Sequence, residues 1–324
     1  MGKTVFASGF APPGQNTTNP HNFAHTPGGS SSGSAAAVAD YQVPFSVGNQ
    51  TFGSVIRPGS FCGIYSFKPT WETVSHNGGL GLSKTLDTIG FFARSVDDFH
   101  LLAAPLRLQG DAPSGFHGVK GARFAWCKTA MWNKATSEAT AMLAEATSLL
   151  EKHGAVIQEL ILPSDFDDAQ KWHTSIATKE IAISMLSETL QGRAPGRADL
   201  DPLLTKLIST GEAQTWEDYH TALDGYAALR PKFDDLAKDF HAIITLSAPG
   251  EAPEGLNWTG DTAFNVMWTA LHVPVVNVPG FGGSKGLPIG FSLVAPRWRD
   301  VHLLEVARDV GRVVQAEDYW QSAL

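Results

Sequence analysis

The stretch TPGGSSSGSAAAVADYQVPFSVGNQTFGSVIRPGSFCGIYSFKPT, from Thr26 to Thr70, decides how the rest of the chain is read. It opens on Pro27-Gly28-Gly29, a turn sequence. It then passes three consecutive serines and runs into Ser34 to Ala39, which reads as a short helix with almost no side-chain bulk. A helix that thin packs close to its neighbours. Val43 to Val47 reads as a buried strand, and Gly48 to Gly53 as a loop that delivers Ser54 to the start of another turn. Two hydroxyls, those of Ser30 and Ser54, are thereby held on two separate loops.

A Gly-Gly-Ser-Ser run followed by a second loop ending in Gly-Ser resembles the hallmark of the amidase signature family. Cys62-Gly63 and Lys68-Pro69-Thr70 close the motif as they do there. The resemblance implies an α/β fold with a mixed central β-sheet covered by helices. It also implies hydrolysis of a carboxylic amide to an acid and ammonia or an amine, through an acyl-enzyme. By the same resemblance Ser54 is the nucleophile, and Ser30, preceded by a cis peptide bond, relays protons. The backbone N–H groups of Thr51, Phe52, Gly53 and Ser54 are the expected oxyanion donors.

Elementary chemistry accounts for these residue types. A serine hydroxyl is a weak nucleophile at neutral pH until a base within hydrogen-bond reach takes its proton, and a second serine can pass that proton along. Attack on an amide carbonyl builds negative charge on oxygen, which N–H groups of a glycine-containing loop stabilise when aimed at it. The commoner family loop reads Gly-Thr-Asp-Thr-Gly-Gly-Ser. Here Gln50 replaces the acid, keeping hydrogen-bonding capacity without the charge, and Phe52 replaces the first glycine, keeping its N–H while narrowing the pocket. Arg57 stands one place later than the family arginine and is given no role.

The family's base is a lysine in a Val-Lys-Asp type motif, and no such motif precedes Ser30. Met1-Gly2-Lys3-Thr4 resembles the family segment that follows that lysine, so Lys3 is not its counterpart. The chain therefore reads as an N-terminally truncated amidase, shortened by a late start, a gene-boundary error or evolutionary loss. A general base contributes about 10²–10⁴-fold, so slow turnover is the expectation. The rival reading is a catalytically inactive binding protein of amidase fold, or a gene fragment. A missing first layer also predicts an exposed sheet edge and association between copies of the chain.

At 324 residues, 43% hydrophobic and 17% charged, the chain can bury a large core and is too polar for a membrane bundle. Its net charge of −8 and scattered basic residues give no footprint for nucleic acid or anionic lipid. Cys62 and Cys127 are too few for a disulfide scaffold and match no zinc spacing, so both are expected reduced and buried. Neither a metal nor a cofactor is implied. With no apolar leader and no apolar run of about 18 residues, a cytoplasmic location and a small-molecule amide substrate are the expectations. Two other motifs fail. Gly29 to Gly33 satisfies the G-x-S-x-G elbow with Ser31 as nucleophile, yet lacks the strand that must precede it. The opening Gly-Lys-Thr lacks the glycine and strand of a phosphate loop.

Along the rest of the chain, residues 1–324 read as one domain, with a signature core at about 26–104, a helical insert at about 165–240 and a C-terminal sheet and helix at about 242–324. Ala7 to Pro27 reads as a surface loop in which His21 and His25 make loop hydrogen bonds. Thr73 to Asp87 is a second glycine-rich loop, and Asp87 either orients the site or closes a turn. Ser95 and Asp98 form a capping box for a helix ending near Ala104, ahead of Pro105. Lys120 to Trp126, Thr136 to His153 and Ala155 to Leu162 read as strand, amphipathic helix and strand, with Met142, Leu143, Ala146, Leu149 and Leu150 on the helix's buried face. Asp165 to Gln191 and Asp199 to Phe240 read as helices broken around Gly192 to Gly196 and at Gly211, with Trp172, Trp216 and Tyr219 in their core. Ala242 to Ser247, Pro274 to Val278 and Leu287 to Val294 read as strands, the last two joined by a turn at Gly282-Gly283, and Val301 to Val313 as the closing helix. Gln50, Glu251 and Asp261 are the candidates for polar contact with substrate, the two acids being equally suited to capping and turns.

Overall fold

The computed structural model describes residues 17–108, 116–190, 200, 202–317, 320–322 and 324. The readings of Met1 to Thr4, of the loop's first part and of the break at Gly192 to Gly196 lie outside the described residues. In chain order the elements are α1 (Ser32–Ala39), β1 (Phe45–Gln50), α2 (Ile56–Phe61), β2 (Tyr65–Lys68), β3 (Thr88–Ala93), α3 (Val96–Ala103), β4 (Arg123–Cys127), α4 (Ser137–Lys152) and β5 (Val156–Leu160). They continue with α5 (Ala169–Leu190), α6 (Pro202–Ala213), α7 (Trp216–Ala237), β6 (Ala242–Leu246), α8 (Val266–Ala270), β7 (Val275–Gly282), β8 (Pro288–Val294) and α9 (Asp300–Gln315).

The strands form one eight-stranded sheet in the order β1-β3-β2-β7-β8-β6-β4-β5. It is mixed: β4 runs parallel to β5 and β6, and the other pairs are antiparallel. Successive residues of a strand point to opposite faces, so neighbouring apolar residues enter different cores. Ile244, Val276 and Leu293 pack with α4 and α9 on one face. Ile243, Val275 and Val294 pack with α5, α7 and α8 on the other. All seven residues of β8 are buried, as a strand covered on both faces requires.

Local signals act as expected in several places. The Ser95 side chain caps α3 by accepting from the Asp97 amide rather than through the expected pairing with Asp98, and the helix read from Thr136 begins with the Thr136 side chain accepting from the Ala139 amide. Met142, Leu143, Ala146, Leu149 and Leu150 are all buried. Cys62 and Cys127 are free and buried. Among the described residues no helix is long and apolar enough to cross a membrane.

Three readings need correction. The first strand lies later than Val43 to Val47, at Phe45–Gln50, and is an edge strand only partly buried. Gly48 to Gln50 thus belong to it, and the loop begins at Thr51. Gly211 does not break a helix. It lies inside α6, where a Cβ would stand 2.0 Å from the Thr178 carbonyl of α5, so its bareness allows two helices to touch. Trp216 is 55% exposed rather than core, lying within 4.5 Å of the Lys179 ammonium. The sheet also holds two strands, β2 and β3, that the sequence pattern does not announce.

Candidate active site

Ser30 and Ser54 reach the same cavity, of about 370 Å³, from two different turns. The first is made by Gly28 and Gly29. Gly28 has φ +83°, and a Cβ there would come within 2.8 Å of Pro58, so the turn presses directly on α2. The Gly29–Ser30 peptide bond is cis. Ser54 lies just ahead of α2 and is 8% exposed.

Between Gln50 and α2 the backbone is fixed carbonyl by carbonyl. The Thr51 oxygen accepts from His173 Nε2 at 2.9 Å, the Phe52 oxygen from Thr269 Oγ1 at 2.9 Å, and the Gly53 oxygen from the Arg57 amide at 3.1 Å. With three carbonyls turned into the scaffold, the amides between them have another direction to face. Among the described residues the N–H groups of Phe52, Gly53 and Ser54 meet no protein acceptor. A run of such amides is a nest for negative charge. Gly53 is required here, because a Cβ would stand 2.3 Å from Asn265 Oδ1.

Gln50 is fully buried beneath this loop. Its Oε1 accepts from the Val55 and Ile56 amides at 2.9 and 3.0 Å, and its Nε2 donates to Thr269 Oγ1 at 2.9 Å. Its amide therefore serves the scaffold and does not line the cavity. Asp87 closes a turn and also reaches the loop ahead of Ser54. One oxygen accepts from Thr51 Oγ1 at 2.5 Å, and the other from the Leu82 and Ser83 amides. Burial raises its carboxyl above the usual carboxylate range, and these hydrogen bonds oppose that shift.

The two acids part company. Asp261 lines the cavity, with one oxygen 3.1 Å from Lys134 Nζ and the other accepting from the Ala263 amide. Glu251 does not line it. Its carboxylate accepts from the Leu287 amide at 2.8 Å and from Lys285, closing the turn between β7 and β8. His21 and His25 hydrogen-bond the Cys62 and Ala252 carbonyls, as loop histidines do.

Sequence reasoning missed three residues here. Arg57 lines the cavity and ties three segments together, donating to the Gly29 carbonyl at 2.5 Å, to Thr259 Oγ1 and to the Gly260 carbonyl. Burial lowers its pKa to about 10, opposed by Asp261, so it stays protonated at neutral pH. Its distance from the serine in sequence gave no sign of this. His173 and Thr269 sit inside helices and act on backbone oxygens, for which no sequence pattern exists. Burial lowers His173 to about 4, so it is neutral, and bonding to a carbonyl places its proton on Nε2. Leu82, Leu203, Leu207, Phe52 and Trp258 supply the cavity's apolar wall.

The amidase family model matches residues 4–304. A glutamyl-tRNA(Gln) amidotransferase polypeptide of Bacillus licheniformis is 30% identical over 95% of this chain and 72% of its own length. A solved amidase structure has a TM-score of 0.81 at 25% identity, covering 92% of this chain and 69% of that one. The peptide amidase of Stenotrophomonas maltophilia has the same fold, with a TM-score of 0.74 at 23% identity over 95% of this chain and 70% of its own. Because the matched residues run through both serine loops and across the sheet to α9, this chain belongs to the amidase family, amidohydrolases that act on amide C–N bonds.

Proposed function

We propose that this chain hydrolyses a small carboxylic amide through an acyl-enzyme on Ser54, with Ser30 as the proton relay. The observation that carries the reading is the loop from Thr51 to Ser54. Its carbonyls are held in the scaffold while three of its amides are unengaged, beside a cavity that both serines line.

Ser54 Oγ attacks the amide carbon as its proton passes to Ser30 Oγ, while Ser30 hands its own hydroxyl proton on to a water that acts as the base. The carbonyl oxygen becomes the oxyanion and receives the loop N–H groups. Collapse breaks the C–N bond, Ser30 donates its proton to the leaving nitrogen and regains one from that water, and an ester remains on Ser54. Water attacks that ester along the reverse proton path and releases the acid. The substrate is a neutral amide with an apolar body. The wall facing it is apolar, and the two charged lining residues, Arg57 and Asp261, are already committed to partners. Such a substrate binds without an ionic handle.

Ammonia release from a panel of aliphatic and aryl primary amides tests this, with fluorophosphonate labelling beside it. Turnover and labelling that both vanish in Ser54→Ala support the reading. An intact fold that neither labels nor turns over returns the chain to the binding-protein alternative.

A further inference from the structure

A second cavity, of about 350 Å³, shares no lining residue with the serine cavity. Among its walls are Trp71 and Glu72 after β2, Arg230 of α7, His272 after α8, and Arg297 and Trp298 after β8. Three of these six have backbones in the left-handed region, with φ +61° at Glu72, +65° at His272 and +68° at Trp298. Only five non-glycine residues among the described ones do so. L side chains rarely adopt that region, and where they do the surroundings enforce it, as ligand clamps commonly show. The enforcement is visible: His272 Nε2 bonds the Thr85 carbonyl at 2.8 Å, Trp71 stacks on the His272 ring at 4.3 Å, and the Trp298 amide donates to Thr70 Oγ1.

The two arginines differ in what they hold. Arg297 is paired with Asp234 at 2.6 Å. Arg230 donates from Nε to the Ala270 carbonyl at 3.0 Å, but among the described residues no carboxylate pairs with it and its NH1 and NH2 have no acceptor. Burial and the neighbouring Arg297 lower its pKa to about 10, so it is still charged at neutral pH. Burial first, and then Arg230, Lys68 and Arg297, drive His272 down to about 2, so its ring is neutral beside the two guanidinium groups. Glu72 is exposed and makes no ion pair with either guanidinium among the described residues.

We propose that this cavity binds a small monocarboxylate with a planar apolar body, its two oxygens on NH1 and NH2 of Arg230 and its body against the indoles of Trp71 and Trp298. A free guanidinium fork matches the plane and spacing of a carboxylate. A doubly charged phosphate would bring its second charge into a cavity that Glu72 also lines. The volume suits a small aromatic acid.

Isothermal titration of the full chain with benzoate, acetate and inorganic phosphate tests the site without requiring turnover, so the outcome is independent of the amidase reading. Benzoate is expected to saturate one site and to bind more tightly than either other anion. Arg230→Gln should weaken it by about 10-fold or more, the share of a charge-assisted hydrogen bond. Trp298 is 52% exposed, so Trp298→Ala leaves the core intact. It should weaken benzoate several-fold and leave acetate unchanged. The proposal is overturned if wild-type protein shows no saturable benzoate binding, if phosphate binds more tightly, or if both variants bind benzoate as the wild type does.

Discussion

His173 and Thr51 are 122 residues apart in sequence, yet the imidazole Nε2 donates to the Thr51 carbonyl across 2.9 Å in full burial. A helix of the insert thus sets the direction of a peptide group in the loop that leads to Ser54. Removing one partner of a buried hydrogen bond costs about 1–3 kcal/mol. In His173→Ala part of that cost should fall on the loop's alignment, lowering kcat about 10-fold with KM nearly unchanged. Labelling of Ser54 should slow in parallel. If the variant labels and turns over like the parent, the bond serves stability alone.

Gly53 admits no side chain. In Gly53→Ala the new Cβ meets Asn265 Oδ1, and Asn265 cannot swing aside freely because its Nδ2 donates to the Ser247 carbonyl at 3.0 Å. Overpacking of this kind costs about 1–3 kcal/mol. The loop, held at fewer points than the sheet, should yield first. Circular dichroism is expected to report a folded protein and fluorophosphonate labelling a loss of about 10²-fold or more, in the range of a lost oxyanion donor.

Much of this was legible where the signal is local. The serine run, the cap at Ser95 and the stripe of α4 are fixed by residues within a turn or two of one another. The short strand β2 and the glycine-containing β3 escaped because burial on both faces erases alternation, leaving short apolar runs without a period. Glu251 and Asp261 looked alike because their partners, the turn after β7 and Lys134, are distant in sequence. Thr269 was beyond reach for the same reason, its acceptor being the Phe52 carbonyl.

Gly211→Ala tests the contact that seats α6. The added methyl group would stand 2.0 Å from the Thr178 carbonyl, so the helices must separate. Destabilisation of about 1–3 kcal/mol is expected from overpacking. Leu203 and Leu207 ride on α6 and wall the serine cavity. KM for apolar amides should therefore rise more than kcat falls. A variant with unchanged KM would remove α6 from the substrate's surroundings.

Acid should weaken the fold through its histidines. Burial holds His173 and His302 at about 4 and His272 at about 2, all below the ordinary 6.5. Below pH 6.5 the unfolded chain gains protons that the folded chain refuses. Stability is therefore full above 6.5 and is lost as pH falls toward 4, and for His272 toward 2. Each group contributes a slope of up to about 1.4 kcal/mol per pH unit. Asp87 and Asp300, raised by burial, act in the opposite sense. The histidine share is read by comparing urea midpoints of His173→Gln and the parent at pH 7.5 and 5. The variant should lose less on acidification, and equal losses would count against a neutral, buried His173.

Gln50 reaches Thr269 across 219 residues of chain. A bond of that span cannot close until β1 and the segment ahead of β7 have found their places at separate positions in the sheet, so the loop beside Ser54 is among the last parts of the molecule to take shape. Contacts so distant in sequence form slowly. During refolding, helix content should return before the serine becomes reactive, and the interval between them is the time the chain takes to bring its two halves together.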